Sequence, residues 1–160
     1  MIVAGDLEAP EGDWDDELAP EDALEPQPPR DAVAALLALA NPDRRLEAGL
    51  LAGMSNVLPA EIADWHAAWV GLEDDQRRSV VRLLLEGAEA DVQLDFGTVF
   101  RLLLDDDDAE VRAVAIDGLW ESNDPRLARR FIDFLQGDAH AEVRARAAEA
   151  LGNFVELGEL

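Results

Sequence analysis

Four consecutive carboxylates, Asp105-Asp106-Asp107-Asp108, are the densest set of potential ligands in this 160-residue chain. Oxygen donors of this kind suit a hard divalent cation. Consecutive residues rarely converge on one centre, however, and neither the loop glycine nor the terminal bidentate glutamate of a helix–loop–helix calcium site follows. The run reads better as a turn that ends in a helix N-cap, with surplus charge in solvent. The two histidines add little. His66 lies between Trp65 and Trp69 near Asp64, and neighbouring helix positions face different ways, so no Asp–His pair converges. His140 follows Asp138 by two residues and reads as a turn residue at a helix start. The chain has no His-Glu-x-x-His, phosphate-binding loop, Gly-x-Ser-x-Gly or dinucleotide fingerprint. With neither cysteine nor tyrosine, few groups remain for acid–base work near neutral pH. We expect no enzyme: no catalytic, cofactor-binding or metal-binding residue, and no cofactor.

Binding anchors are a different matter, because aromatics and arginines dominate interface hot spots. Trp65 and Trp69 are spaced four apart, which suits a core stripe. Trp120 follows Leu119, so both cannot point directly inward. It either covers a seam between repeats or stands on an open face. Arg126, Arg129 and Arg130 form the one basic cluster, suited to an anion, an acidic peptide or the chain's own acidic leader.

That leader is residues 1–30, which hold ten acidic residues, five prolines and one arginine, Arg30. Such a segment buries too little apolar surface to offset its ordering entropy, and it is expected to be a disordered tail. Trp14, among Asp13, Asp15 and Asp16, is either a short docking motif or an incidental aromatic. Over the whole chain the formal charge is −23, and all 13 cations are arginine. A chain this acidic repels phosphate backbones and anionic lipid surfaces, which argues against nucleic acid and membrane as partners. It would attract a basic protein. Solubility, a GC-rich genome or a salty cytoplasm explain the same charge without one. No apolar stretch suggests a signal peptide or membrane span, and the expected location is cytoplasmic.

Elements that would position these groups are helical throughout. Alanine, leucine, glutamate and arginine dominate, and no Asn-Gly or Asp-Gly turn separates two alternating stretches. Asp31 caps a helix to about Ala40, with Val33, Leu36 and Leu37 on one side. Pro42 suits the first turn of a second helix, carrying Leu46, Leu50 and Met54. Pro59 opens a third, which Gly71 stops. Glu73 to about Ala90 is a fourth, with Val81, Leu84 and Leu85 inward. A fifth spans Asp95 to Leu104. Asp108 to about Ser122 is the sixth. Pro125 to Gln136 is the seventh, striped by Leu127, Phe131 and Leu135. His140 to about Asn153 is the eighth, and a partner helix would begin near Phe154. That last layer reads as unfinished. Either the chain is part of a longer protein or the final segment docks elsewhere, for instance on another copy.

Two of these helices repeat one another. Val111-Arg112-Ala113 with Ala115 and Leu119 recurs 32 residues later as Val143-Arg144-Ala145 with Ala147 and Leu151. A fixed period in this range marks a helical solenoid. Alignment on arginine extends the set back to Arg78 and Arg45, giving about four layers. Three residues after each arginine comes Ala48, Val81, Ala115 or Ala147, and seven after comes Ala52, Leu85, Leu119 or Leu151. Those positions share one helical face.

The motif resembles the HEAT-repeat superfamily, and most the short HEAT-like units described with phycobilisome lyases. It reads as an aspartate in the turn, then Val-Arg, a small residue and a leucine: Asp106 with Val111-Arg112, and Asp138 with Val143-Arg144. The match covers about 100–153 and is weak over 31–99, where Arg45 and Arg78 lack an aspartate six residues earlier. The resemblance implies an all-α, right-handed α-solenoid of stacked antiparallel helix pairs over 31–160. It also implies a ladder in which Arg112 and Arg144 reach aspartates of adjacent turns. The function it implies is a non-enzymatic protein–protein interaction scaffold or adaptor. The alternatives are a lyase- or chaperone-like assistant acting on a chromophore or cofactor protein, and a DNA glycosylase. The last needs a basic groove that so acidic a chain lacks.

Overall fold

A computed structural model describes residues 31–45 and 48–156, and every regular element among them is an α-helix. In order these are α1 Ala32–Leu39, α2 Ala48–Met54, α3 Ile62–Val70, α4 Asp74–Ala90, α5 Gly97–Leu103, α6 Ala109–Asp117, α7 Pro125–Gly137 and α8 Ala141–Glu156. The expectations for the leader, Trp14, Leu46 and the final segment past residue 156 fall outside the described residues. The fold is an α-solenoid of several repeats. Helices α4, α6 and α8 stack side by side, with α5 against α6 and α7 against α8, while α1 packs on α2 and α3.

Caps start the helices where short polar side chains precede apolar periodicity. Asp31 accepts the Ala34 N–H at 2.9 Å, Asp108 accepts those of Glu110 and Val111, and Asp124 accepts that of Arg126 just before Pro125. Glu73 donates its N–H to the Gln76 side chain at 3.0 Å, and the Gln76 amide reaches the Ala40 carbonyl at the end of α1. Inward faces form one core through Leu36, Trp65, Val81, Phe100, Val111, Ala115, Phe131, Val143 and Ala147. The ladder alanines Ala115 and Ala147 are fully buried, and small side chains there let neighbouring helices approach closely.

Several sequence expectations change. Pro42 lies in a turn, not a helix: the Asn41 side chain accepts the Asp43 N–H at 3.0 Å and closes an Asx turn. Arg45 is consequently exposed ahead of α2 and is not on a helix as Arg78, Arg112 and Arg144 are. Helix α3 starts at Ile62 rather than Pro59, because the Glu61 side chain holds the Leu58 N–H in the preceding turn. Leu37 is exposed, and Ala32, Ala35 and Leu39 join Leu36 on the buried side of α1. Val80 is buried beside Val81 in α4. Helix α6 ends at Asp117. A Cβ on Gly118 would meet the Phe100 ring at 2.4 Å, so α5 crosses at the one position with no side chain. In α7 the stripe is Leu127, Phe131 and Phe134, whereas Leu135 faces out. Nor does a new helix begin at Phe154. That residue is in the last turn of α8, three positions beyond Leu151 on the same face, with its ring edge-on to Phe131 at 6.2 Å.

Candidate functional site

The Asp105–Asp108 run does not form a common centre. Asp105 is exposed and pairs with Arg130. Asp106 is almost wholly buried; it accepts two bonds from Arg77, at 3.0 and 3.1 Å, and one from the Trp69 indole at 2.6 Å. Asp107 faces solvent. Asp108 takes two bonds from Arg78, at 2.9 and 2.6 Å, while capping α6. Among the described residues no set of three His, Cys, Asp or Glu side chains is arranged to hold a metal ion.

The arginines that take up this charge build the ladder. Arg112 works in two directions. One nitrogen donates back to the Asp106 and Asp107 carbonyls at 2.8 and 3.0 Å, tying down the turn before its own helix. The other two grip Asp138 at 3.0 and 3.1 Å, in the turn before the next helix. Arg144 repeats the backward half, donating to the Asp138 and Ala139 carbonyls. Burial pushes the carboxyls of Asp108 and Asp138 up. Arg78 on the one and Arg112 on the other, with backbone N–H bonds, outweigh it and hold both below the usual range. The pairing of Arg77 with Asp106 was not foreseen. Nothing in the 32-residue period marks it, since Arg77 precedes the ladder arginine and lies 29 residues before its partner.

The remaining candidates separate cleanly. Trp65 and Trp69 stack at 5.3 Å inside the core, and Trp65 donates to the Met54 sulfur. His66 is exposed on the other side of α3. His140 sits where Asp108 sits one repeat earlier; its N–H donates to Asp138. The basic cluster splits up. Arg126 bonds to Asp124, Arg130 pairs with Asp105 and lies over the Phe134 ring at 4.6 Å, and Arg129 is exposed.

Trp120 takes the open face. Its indole is 56% exposed just past the end of α6, while Leu119 fills the core. The Asn153 amide of α8 donates to the Trp120 carbonyl at 3.4 Å. Beside the ring is a groove of about 420 Å³ that crosses the α4–α6–α8 layer, lined by Leu85, Glu89, Asp117, Arg146 and Glu149. Arg146 stands 3.6 Å from Asp117 and 3.5 Å from Glu149. Burial pushes the Asp117 carboxyl up, and Glu149, Glu142 and Glu89 push the same way against Arg146.

Residues 98–159 match the family model of HEAT repeats. Over that span the chain is similar to HEAT repeats. The match takes in α6, α7 and α8 and both turns of the ladder, and nothing in it narrows the HEAT assignment to the phycobilisome lyase type. No curated protein and no solved structure matches the chain. Among the described residues no helix is long and apolar enough to cross a membrane.

Proposed function

We propose that the chain is a non-enzymatic, cytoplasmic interaction scaffold whose HEAT layers present the α4–α6–α8 face to a protein partner. The observation that carries this reading is the position of Trp120. Trp65 and Trp69 are fully buried, yet Trp120 stands on the surface at the rim of a groove. An exposed aromatic beside a hollow is the usual anchor of a protein contact. The carboxylates that looked most like a reactive centre already serve the ladder, which supports a structural role for them. Extended faces built from stacked repeats commonly hold other chains.

A photo-crosslinking residue tests this in the source cells. Placed at Glu121, next to the groove, it is expected to give discrete protein adducts. Placed at exposed Asp64 on α3 it should give none of the same adducts. Absence of adducts at Glu121, or identical adducts at both places, would count against the scaffold reading.

A further inference from the structure

The groove beside Trp120 is strongly asymmetric in charge. Glu89, Asp117 and Glu149 line it, and a second hollow of about 370 Å³ continues it past Val92 and Glu121. Against these four carboxylates stands one cation, Arg146, already shared between Asp117 and Glu149. Val92 is 97% exposed, so an apolar strip runs between acidic rims. Asp117 is partly desolvated and crowded by like charges, and an incoming cation would relieve that cost. The Trp120 carbonyl accepts the Asn153 amide, which ties the backbone under the indole to α8.

We propose that this groove takes a short cationic peptide segment, with an apolar side chain against Trp120 and Leu85 flanked by arginine or lysine that pair with Glu89, Asp117, Glu121 and Glu149. The proposal rests on the scaffold reading above and names the chemistry of its partner. It also sets aside the chain's own acidic residues 1–30 as occupant, since like charges would face each other across the rim.

A random peptide library displayed on phage and selected on the full chain tests it. The expected enrichment is for peptides carrying arginine or lysine on both sides of a leucine, methionine or aromatic. For such a peptide, Trp120→Ala weakens binding by about thirtyfold, the scale of a hot spot. Glu89→Gln and Glu149→Gln each weaken it by about two- to fivefold, and Asp64→Asn, remote on α3, leaves it unchanged. Arg146→Gln acts in the opposite direction and tightens binding by a similar factor, because it removes the cation shared by Asp117 and Glu149. Enrichment of neutral or acidic peptides overturns the proposal, as does no enrichment, or binding indifferent to Trp120, Glu89 and Glu149. If that happens while Glu121 still crosslinks a protein, the cationic partner is wrong and the scaffold stands. If the crosslinks fail too, both fall.

Discussion

Two successive junctions in the stack differ in how they are tied. Between α4 and α6, Arg77 and Arg78 hold Asp106 and Asp108 respectively, and the Trp69 indole is a second side-chain donor to Asp106. Between α6 and α8, among the described residues, Arg112 is the one arginine on the Asp138 carboxylate. That carboxylate also accepts the His140 N–H, and Arg146 pairs more loosely with Asp117. Val111, the residue just before this ladder arginine, is a fully buried core side chain, unlike Arg77 in the same register. His140 replaces Asp108. The junction with the clean sequence period is therefore the one with fewer polar ties. A period reports where a ladder arginine recurs. It does not report how many partners gather around it.

The sharpest test of that contrast removes one carboxylate from each junction. Asp106→Ala leaves the Trp69 indole without its acceptor and Arg77 with exposed Asp74 as its remaining charged partner, and should cost roughly 3–5 kcal/mol in urea unfolding. Asp138→Ala frees a single arginine, as buried as Arg77 but still held by the Asp106 and Asp107 carbonyls, and should cost about 1–3 kcal/mol. Equal losses would erase the distinction.

Acid should strain both junctions. Asp108 and Asp138 have depressed folded-state pKa values, so their stabilisation is complete above the ordinary carboxylate range, near pH 4. It decays as pH falls through that range toward the lowered values. A melting temperature measured from pH 7 to pH 3 should drop, and Asp138→Asn should flatten part of the drop. A profile unchanged by that substitution would show that the Arg112 pair contributes nothing measurable.

Repairing the weaker junction is expected to have a smaller effect. His140 accepts the Arg144 N–H through its carbonyl and so occupies the N-cap of α8. His140→Asp gives that helix the carboxylate that Asp108 gives α6, and should add about 0.5–1 kcal/mol by chemical denaturation. No gain would mean that the cap is already satisfied.

Asp117 supplies the smallest effect and the opposite sign. Its folded-state pKa is raised, so it favours the folded chain at low pH and loses that advantage as pH rises through the ordinary range to its elevated value. Asp117→Asn should raise the melting temperature slightly at pH 7 and leave it unchanged at pH 3, where the carboxyl is protonated in both states. A lowered melting temperature at pH 7 would instead show that the Arg146 pair outweighs burial.

Much of the fold was legible because its signals are local. Asp31, Asp108 and the Asp124-Pro125 step mark helix starts through short-range capping, and the 3.6-residue periodicity located the helices to within a few residues. Repetition marked the ladder arginines, and the family resemblance implied that Arg112 reaches the next turn, as it does. Arg144, expected to do the same, bonds among the described residues only the carbonyls of the turn before its own helix. Other features depend on chain segments that meet only in three dimensions. Gly152-Asn153 reads as a stop, but Phe154 packing on Phe131 carries α8 through it. Gly118 leaves room for a ring on α5 that no local pattern announces. Trp120 could be narrowed to two faces from its place after Leu119, and only the packed helices decided between them. The groove was invisible, since Glu89, Asp117 and Glu149 come from three separate helices.

Asp106 joins more than two layers. Its carboxylate is held by Trp69 from α3 and Arg77 from α4 while also accepting the Asp108 N–H at the entry to α6. A linear array whose units touch only their neighbours can fray one unit at a time from either end. A clasp spanning three helices makes that piecemeal loss costly in the middle of this chain. Amides of α3, α4 and α6 should then exchange with solvent in one cooperative opening, while the far end of α8 exchanges first.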